Sequence, residues 1–183
     1  MSIQEGNKRL CVCTCVELMR SKMMNVTYIK EYYPQSVITR DEDALENRKL
    51  IQDFMQGELN PQLKSEIIKK VHDIALQDDI DVVCFEPGLT SSETLLRYEE
   101  LSSQLVPVVD CDVFMDTLTL EADADPITQE FTFKCNETRV KDKNILLIGG
   151  VYDSGLNYIK IVDILINNKA KKVVGLYIAK VKR

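Results

Sequence analysis

The chain has no apolar run approaching the roughly 18 residues expected of a membrane span. Its first nine residues are polar where a secretory leader would carry an apolar stretch. Positive charge is also scarce, with 23 Lys and Arg against 29 Asp and Glu, a net charge of −6. Nucleic-acid binders usually carry a dominant basic stripe, and none is present. Lys169, Lys171, Lys172, Lys180, Lys182 and Arg183 gather at the C-terminus and read as solvated helix ends and a tail. The one histidine, His72, falls in an amphipathic helical pattern and reads as a surface or boundary residue, a general base being the alternative. No GxSxG, Walker or CxxC motif occurs. These absences predict a cytoplasmic protein with neither a membrane nor a nucleic acid as partner.

What remains is ordinary globular composition: 183 residues, 45% apolar and 28% charged, within the size of one domain that can bury a real core. The whole of 1–183 is therefore expected to form a single domain. In a cytosolic setting its six cysteines would be reduced thiols. Cys11, Cys13 and Cys15 alternate with Val12, Thr14 and Val16, a strand pattern that turns all three thiols to one face. Their C-x-C-x-C spacing does not suit a zinc tetrahedron, so they read as buried, apolar-like side chains and no metal site is expected.

The periodicity predicts alternating strands and helices. Val26–Tyr33 reads as a strand stopped by Pro34, and Asp41–Gln56 as a helix stopped by Gly57. Asn60-Pro61 opens a second helix running to Gln77. Asp81–Phe85 and Asn144–Ile148 are short continuous apolar runs, as in strands buried on both faces. Ser92–Leu105 and Leu156–Asn168 read as helices, and Lys172–Ala179 as a final strand. Such alternation predicts an α/β fold whose mostly parallel central sheet is flanked by helices. The weakly periodic, β-branched 106–139 stretch is expected to be a less regular β-rich excursion. It carries seven acids between 107 and 131 (Asp110, Asp112, Asp116, Glu121, Asp123, Asp125, Glu130) and no Lys or Arg.

The chemistry-bearing segment is NILLIGGVYDSGLN, Asn144 to Asn157. A buried strand gives way to small and polar residues, and a helix follows. Ligands in open α/β sheets bind at the carboxyl ends of strands, and a helix N-terminus there offers unpaired N–H groups. Asp153, Ser154, Gly155, Leu156 and Asn157 are the predicted phosphate or ligand loop, with Gly149 and Gly150 just before it.

This segment resembles the signature of the type I phosphoribosyltransferases, an apolar strand, two adjacent acids and a Thr/Ser-Thr-Gly loop that opens a helix. Ile145–Ile148, Val151, Tyr152, Ser154 and Gly155 fit that pattern. KAKKVVGLYIAKVKR is similar to the family's closing strand, and YIKEYYP, ENRKLIQDF and VVCFEPGLTSSETLLRYEELS are similar to a bacterial phosphoribosyltransferase-like subfamily. The resemblance covers most of Val26–Arg183 and implies the type I phosphoribosyltransferase fold, a second ligand loop of Gly88, Leu89 and Thr90 with Arg97 and Tyr98 behind it, and a mobile loop over the site at 107–131. Arg97 and Tyr98 either serve the ligand or tie their helix to the core.

The departures from the family pattern carry the functional expectation. The resemblance implies two acids that hold the ribose hydroxyls and organise Mg²⁺, but this chain has Gly149 and Gly150. Asp153 replaces the loop's first threonine, and Glu93 stands where the subfamily pattern carries lysine. A carboxylate about 4 Å from a phosphate opposes binding by a few kcal/mol at intermediate dielectric. The expectation is a phosphoribosyltransferase-fold protein without phosphoribosyl transfer and with no catalytic residue. It would act as a binding or partner subunit for a phosphorylated ribose or nucleotide ligand, as a homodimer or with a paralogue. A divergent phosphoribosyltransferase, or a nucleotide or phosphoribosyl-ligand sensor, is the alternative. No cofactor is expected; Mg²⁺ would be needed only if transfer were retained. Restoring Gly149→Asp, Gly150→Asp and Asp153→Thr together is expected to improve substrate binding.

Overall fold

A computed structural model describes residues 25–120 and 132–182. Five parallel strands form the central sheet: β1 (Val26–Tyr32), β2 (Val82–Phe85), β3 (Asp112–Phe114), β6 (Asn144–Tyr152) and β7 (Lys172–Val181), in the order β1-β7-β6-β2-β3. Two short strands, β4 (Leu118–Leu120) and β5 (Phe133–Cys135), pair antiparallel outside it. The helices are α1 (Glu42–Met55), α2 (Pro61–Gln77), α3 (Ser91–Leu105), the single turn α4 (Glu137–Val140) and α5 (Leu156–Asn167). The α/β architecture with a helix-flanked parallel sheet is thus as the sequence predicts.

Local chemistry sets the helix starts. The Asp41 carboxylate accepts the Asp43 N–H, the Asn60 side chain accepts the Gln62 and Leu63 N–H groups ahead of Pro61, and Thr90 Oγ1 accepts the Glu93 N–H. Each cap satisfies amides that have no partner within their own helix. Alternation along the central strands divides the core. Val83, Phe85, Leu146, Ile148, Val174 and Leu176 face α1, α2 and α3, while Val82, Cys84, Ile145, Leu147, Val173 and Tyr177 face α5 and the β4–β5 pair. Both faces of the sheet are covered, which is why these strands read as unbroken apolar runs rather than alternating ones.

One expectation is corrected and another sharpened. The strand predicted to end at Ile148 runs on to Tyr152, so Gly149 and Gly150 lie within β6 and not in a loop. Neighbouring β7 is long enough to hold them, pairing Gly149 with Tyr177, Val151 with Ala179 and Tyr152 with Lys180. Within the 106–139 stretch, β3 belongs to the main sheet as its edge strand, paired with β2. Three residues are too few to display a period, so this strand had no sequence signal of its own.

Cys11, Cys13 and Cys15 lie outside the described residues, as do Glu121, Asp123, Asp125 and Glu130. Cys84 is fully buried, and burial drives its thiol pKa far upward. Cys111 and Cys135, half-buried, are pushed up to about 11, chiefly by burial and then by nearby acids. Such thiols stay protonated near neutrality and pack as small apolar groups. His72 is half-exposed on α2 beside Asp73. Among the described residues no helix is long and apolar enough to cross a membrane.

Candidate functional site

Topology locates the site. From β6 the chain passes through α5 to β7 on one side; from β2 it passes through α3 to β3 on the other. Neighbouring strands whose connections leave in opposite directions open a crevice at their carboxyl ends, the place where open α/β sheets bind ligands. Two segments border it here, Glu86–Thr90 after β2 and Asp153–Gly155 after β6.

The second segment turns into α5 through Gly155, whose φ of +79° is left-handed and costs glycine little. The Leu156 N–H points at Ser154 Oγ at 3.4 Å, and the first amide taken up by the helix is that of Ile159, bonded to the Gly155 carbonyl. A cavity of about 190 Å³ lies against this turn, lined by Asp153 to Asn157 together with Glu86 and Tyr177. A second cavity of about 430 Å³ is lined by Gly88, Leu89, Arg97, Gly150, Asn157 and again Glu86. The structure therefore brings both predicted loops to one crevice. Thr90 instead lines a neighbouring, more apolar cavity with Leu95, Met115 and Leu118.

Arg97 and Tyr98 are placed differently. Tyr98 is fully buried, packed on Phe54 and Phe85 with ring centroids 5.9 and 4.9 Å away, and ties α3 to the core. Arg97 lines the larger cavity.

Glu93 has a different role from the one its charge suggests. Its carboxylate accepts the Leu89 N–H at 2.8 Å, and Thr94 Oγ1 accepts the Gly88 N–H at 2.8 Å. The two loop amides that could have cradled an anion are thus taken by the protein's own acceptors.

Glu86 is the residue that sequence reasoning missed. It follows the last residue of β2, and its N–H donates to the Ile148 carbonyl at 2.8 Å, beside Gly149. A Cβ on Gly149 would fall 2.7 Å from Glu86 Oε2 and 2.6 Å from Tyr177 Cζ. One on Gly150 would fall 2.8 Å from Met55 Sδ on the opposite face. Real Cβ atoms do not approach so closely: a side chain at 149 requires the Tyr177 ring to move, and one at 150 requires the more flexible Met55 thioether to shift. Burial pushes the Glu86 carboxyl up to about 7, opposed by the Arg97 guanidinium, the Gly150 N–H and the Tyr177 hydroxyl, all of which favour its charged form. Burial also raises the Tyr98, Tyr158 and Tyr177 phenols far above their usual range. The Tyr158 hydroxyl is buried with no hydrogen-bond partner among the described residues. The sequence signal was available: a lone acid directly after the apolar run VVCF and before Pro87-Gly88 sits where strands present ligand-binding groups.

Among the described residues no group of three or more His, Cys, Asp and Glu side chains is placed to hold a metal ion. No protein-family model and no curated protein sequence matches the chain. Solved structures similar to it include a purine phosphoribosyltransferase from Pyrococcus horikoshii Ot3, at 14% identity and TM-score 0.46, covering 67% of this chain and 75% of that one. A hypoxanthine phosphoribosyltransferase from Staphylococcus aureus is similar at 16% identity and TM-score 0.47, over 68% and 69% of the two chains. The hypoxanthine phosphoribosyltransferase from Trypanosoma cruzi in complex with the product IMP is similar at 10% identity and TM-score 0.49, over 72% and 68%. At these identities the likeness is one of chain trace alone.

Proposed function

We propose that this protein binds a ribosyl or nucleotide ligand in the β2–β6 crevice without transferring a phosphoribosyl group, and serves as a binding or partner subunit. The observation that carries this reading is the packing around Gly149 and Gly150. In the phosphoribosyltransferases that the sequence resembles, this pair of positions holds the acids for ribose and Mg²⁺. Here Tyr177 and Glu86 fill the space beside Gly149, and Met55 fills that beside Gly150. The acids have not merely been lost; their volume is in use.

Transfer builds positive character on the ribose and negative charge on the departing pyrophosphate, and preorganised charge is typically the largest catalytic contribution. The first half of that arrangement is missing. The second half is opposed by Glu93 and by the capture of the Gly88 and Leu89 amides.

Binding is tested by titrating phosphoribosyl pyrophosphate, nucleoside monophosphates and nucleosides, each with and without Mg²⁺, in thermal-shift and calorimetric assays. A ligand at about 100 times its dissociation constant stabilises by about 2.7 kcal/mol, a clear rise in melting temperature. Saturable binding by at least one ribosyl ligand is expected. A flat response across the whole panel contradicts the reading.

A further inference from the structure

The charges around the crevice do not suit an anion. Among the described residues, the smaller cavity is lined by the Glu86 and Asp153 carboxyls and by no Lys or Arg. The larger one adds Glu93 and, among the described residues, a single cation, Arg97, which already faces Glu86. Gly88 and Leu89 have given their amides to Thr94 and Glu93. Beside the first α5 amides, the lining offers hydrogen-bond acceptors and hydroxyls. Tyr177 is 1% exposed, lines the smaller cavity and turns its hydroxyl toward the Glu86 carboxyl. Glu86 accepts from the Gly150 N–H and retains further lone pairs, since a carboxylate has about four acceptor sites.

We propose that the crevice selects an uncharged, hydroxyl-bearing ribosyl ligand, a nucleoside or free ribose, over its phosphate ester, with Glu86 as the acceptor for the ligand's vicinal hydroxyls. This rests on the reading above and narrows it. A vicinal diol supplies two donors at the spacing of two carboxylate oxygens. A phosphate would bring one or two more negative charges into a lining that already has a net negative count. Specificity then comes from both an attraction, diol to Glu86, and a repulsion, phosphate against the Glu86 and Glu93 carboxylates. Glu86 remains partly protonated near neutrality because burial raises its carboxyl. Hydroxyl donors from a ligand would favour its charged form.

The test is a calorimetric comparison of matched pairs on the full chain: ribose with ribose 5-phosphate, and each common nucleoside with its 5′-monophosphate and its 2′-deoxy form. The wild type is expected to bind the uncharged member about tenfold or more tightly than its phosphate ester, and to lose a similar factor on 2′-deoxygenation. In Glu86→Gln, which keeps the size and removes the charge, both ratios should shrink to within about threefold. Equal or tighter binding of the phosphate esters by the wild type overturns this inference and leaves the ligand-binding reading standing. Unchanged ratios in a folded Glu86→Gln likewise overturn the role of Glu86. No binding by any member of any pair overturns both.

Discussion

Tyr177 and Gly149 face each other across β7 and β6, and the tyrosine ring takes up the volume that a side chain on the glycine would need. Tyr177 is held from both sides, by Tyr152 at 5.1 Å and Tyr158 at 6.1 Å between ring centroids, so it has little freedom to step aside. Gly149→Ala should therefore destabilise the fold by about 1–3 kcal/mol through overpacking. In a Tyr177→Ala background the same change should cost less than about 0.5 kcal/mol, because the two positions are coupled. A double-mutant cycle by urea denaturation measures this, and additive costs would contradict it.

The same contact bears on one expectation from the sequence. Gly149→Asp with Gly150→Asp and Asp153→Thr was expected to improve substrate binding. With the packed Tyr177 ring in place, an aspartate at 149 must displace it, and the triple variant should melt well below wild type. A melting scan decides it.

Glu86 sets a pH dependence of stability. Its carboxyl is raised to about 7 in the folded protein from an ordinary 4.5. Between those values the folded state holds a proton that the unfolded chain has released. Stability from this group is thus full below about 4.5 and declines as pH rises through about 7. The Arg97 guanidinium faces it, as do Tyr98 and Tyr177, whose phenols are raised well above that window, whereas Glu86→Gln removes the effect. Relative to the variant, wild type should be more stable at pH 5 than at pH 8 by roughly 1–3 kcal/mol. Urea curves of both proteins at the two pH values check this; parallel behaviour would contradict it.

The Leu89 amide depends on Glu93. Glu93→Ala removes its acceptor and should cost about 1 kcal/mol. It should also speed hydrogen exchange at Leu89 while leaving Gly88, bonded to Thr94, protected. Equal acceleration at both amides would mean that the loop opens as a unit.

Arg48 anchors the segment after β1. Its Nε and Nη2 donate to the carbonyls of Tyr33, Pro34 and Val37 at 2.7, 3.1 and 2.8 Å. Arg48→Met keeps the stem and loses all three bonds, and should cost about 2–3 kcal/mol, in keeping with hydrogen bonds from a charged donor. Arg48→Lys should recover only part, since an ammonium lacks the planar fork. Full recovery by lysine, measured by chemical denaturation, would contradict this.

The long elements of the fold were legible because their patterns are strong. VVCF and NILLI announce strands covered on both faces, and Asn60-Pro61 announces a helix start. The end of β6 was not, because glycine ordinarily marks a turn and only the length of β7 reveals that pairing continues past Gly149. Asp153 to Asn157 and Gly88 to Arg97 could be named from the sequence, and the structure brings them to one crevice. The partners that fill the space at Gly149 and Gly150 could not. Met55, Glu86 and Tyr177 come from three distant segments, and no local pattern links a glycine to the side chain that needs its space.

The most direct test is a pyrophosphate-release assay with phosphoribosyl pyrophosphate and Mg²⁺ in the presence of each common purine and pyrimidine base. The packing at Gly149 and Gly150 and the captured loop amides predict no release above the uncatalysed background with any base. Clear, enzyme-dependent release by the wild type with any one of them would contradict the account, and its loss in Ser154→Ala or Asp153→Ala would then place the chemistry at the turn before α5.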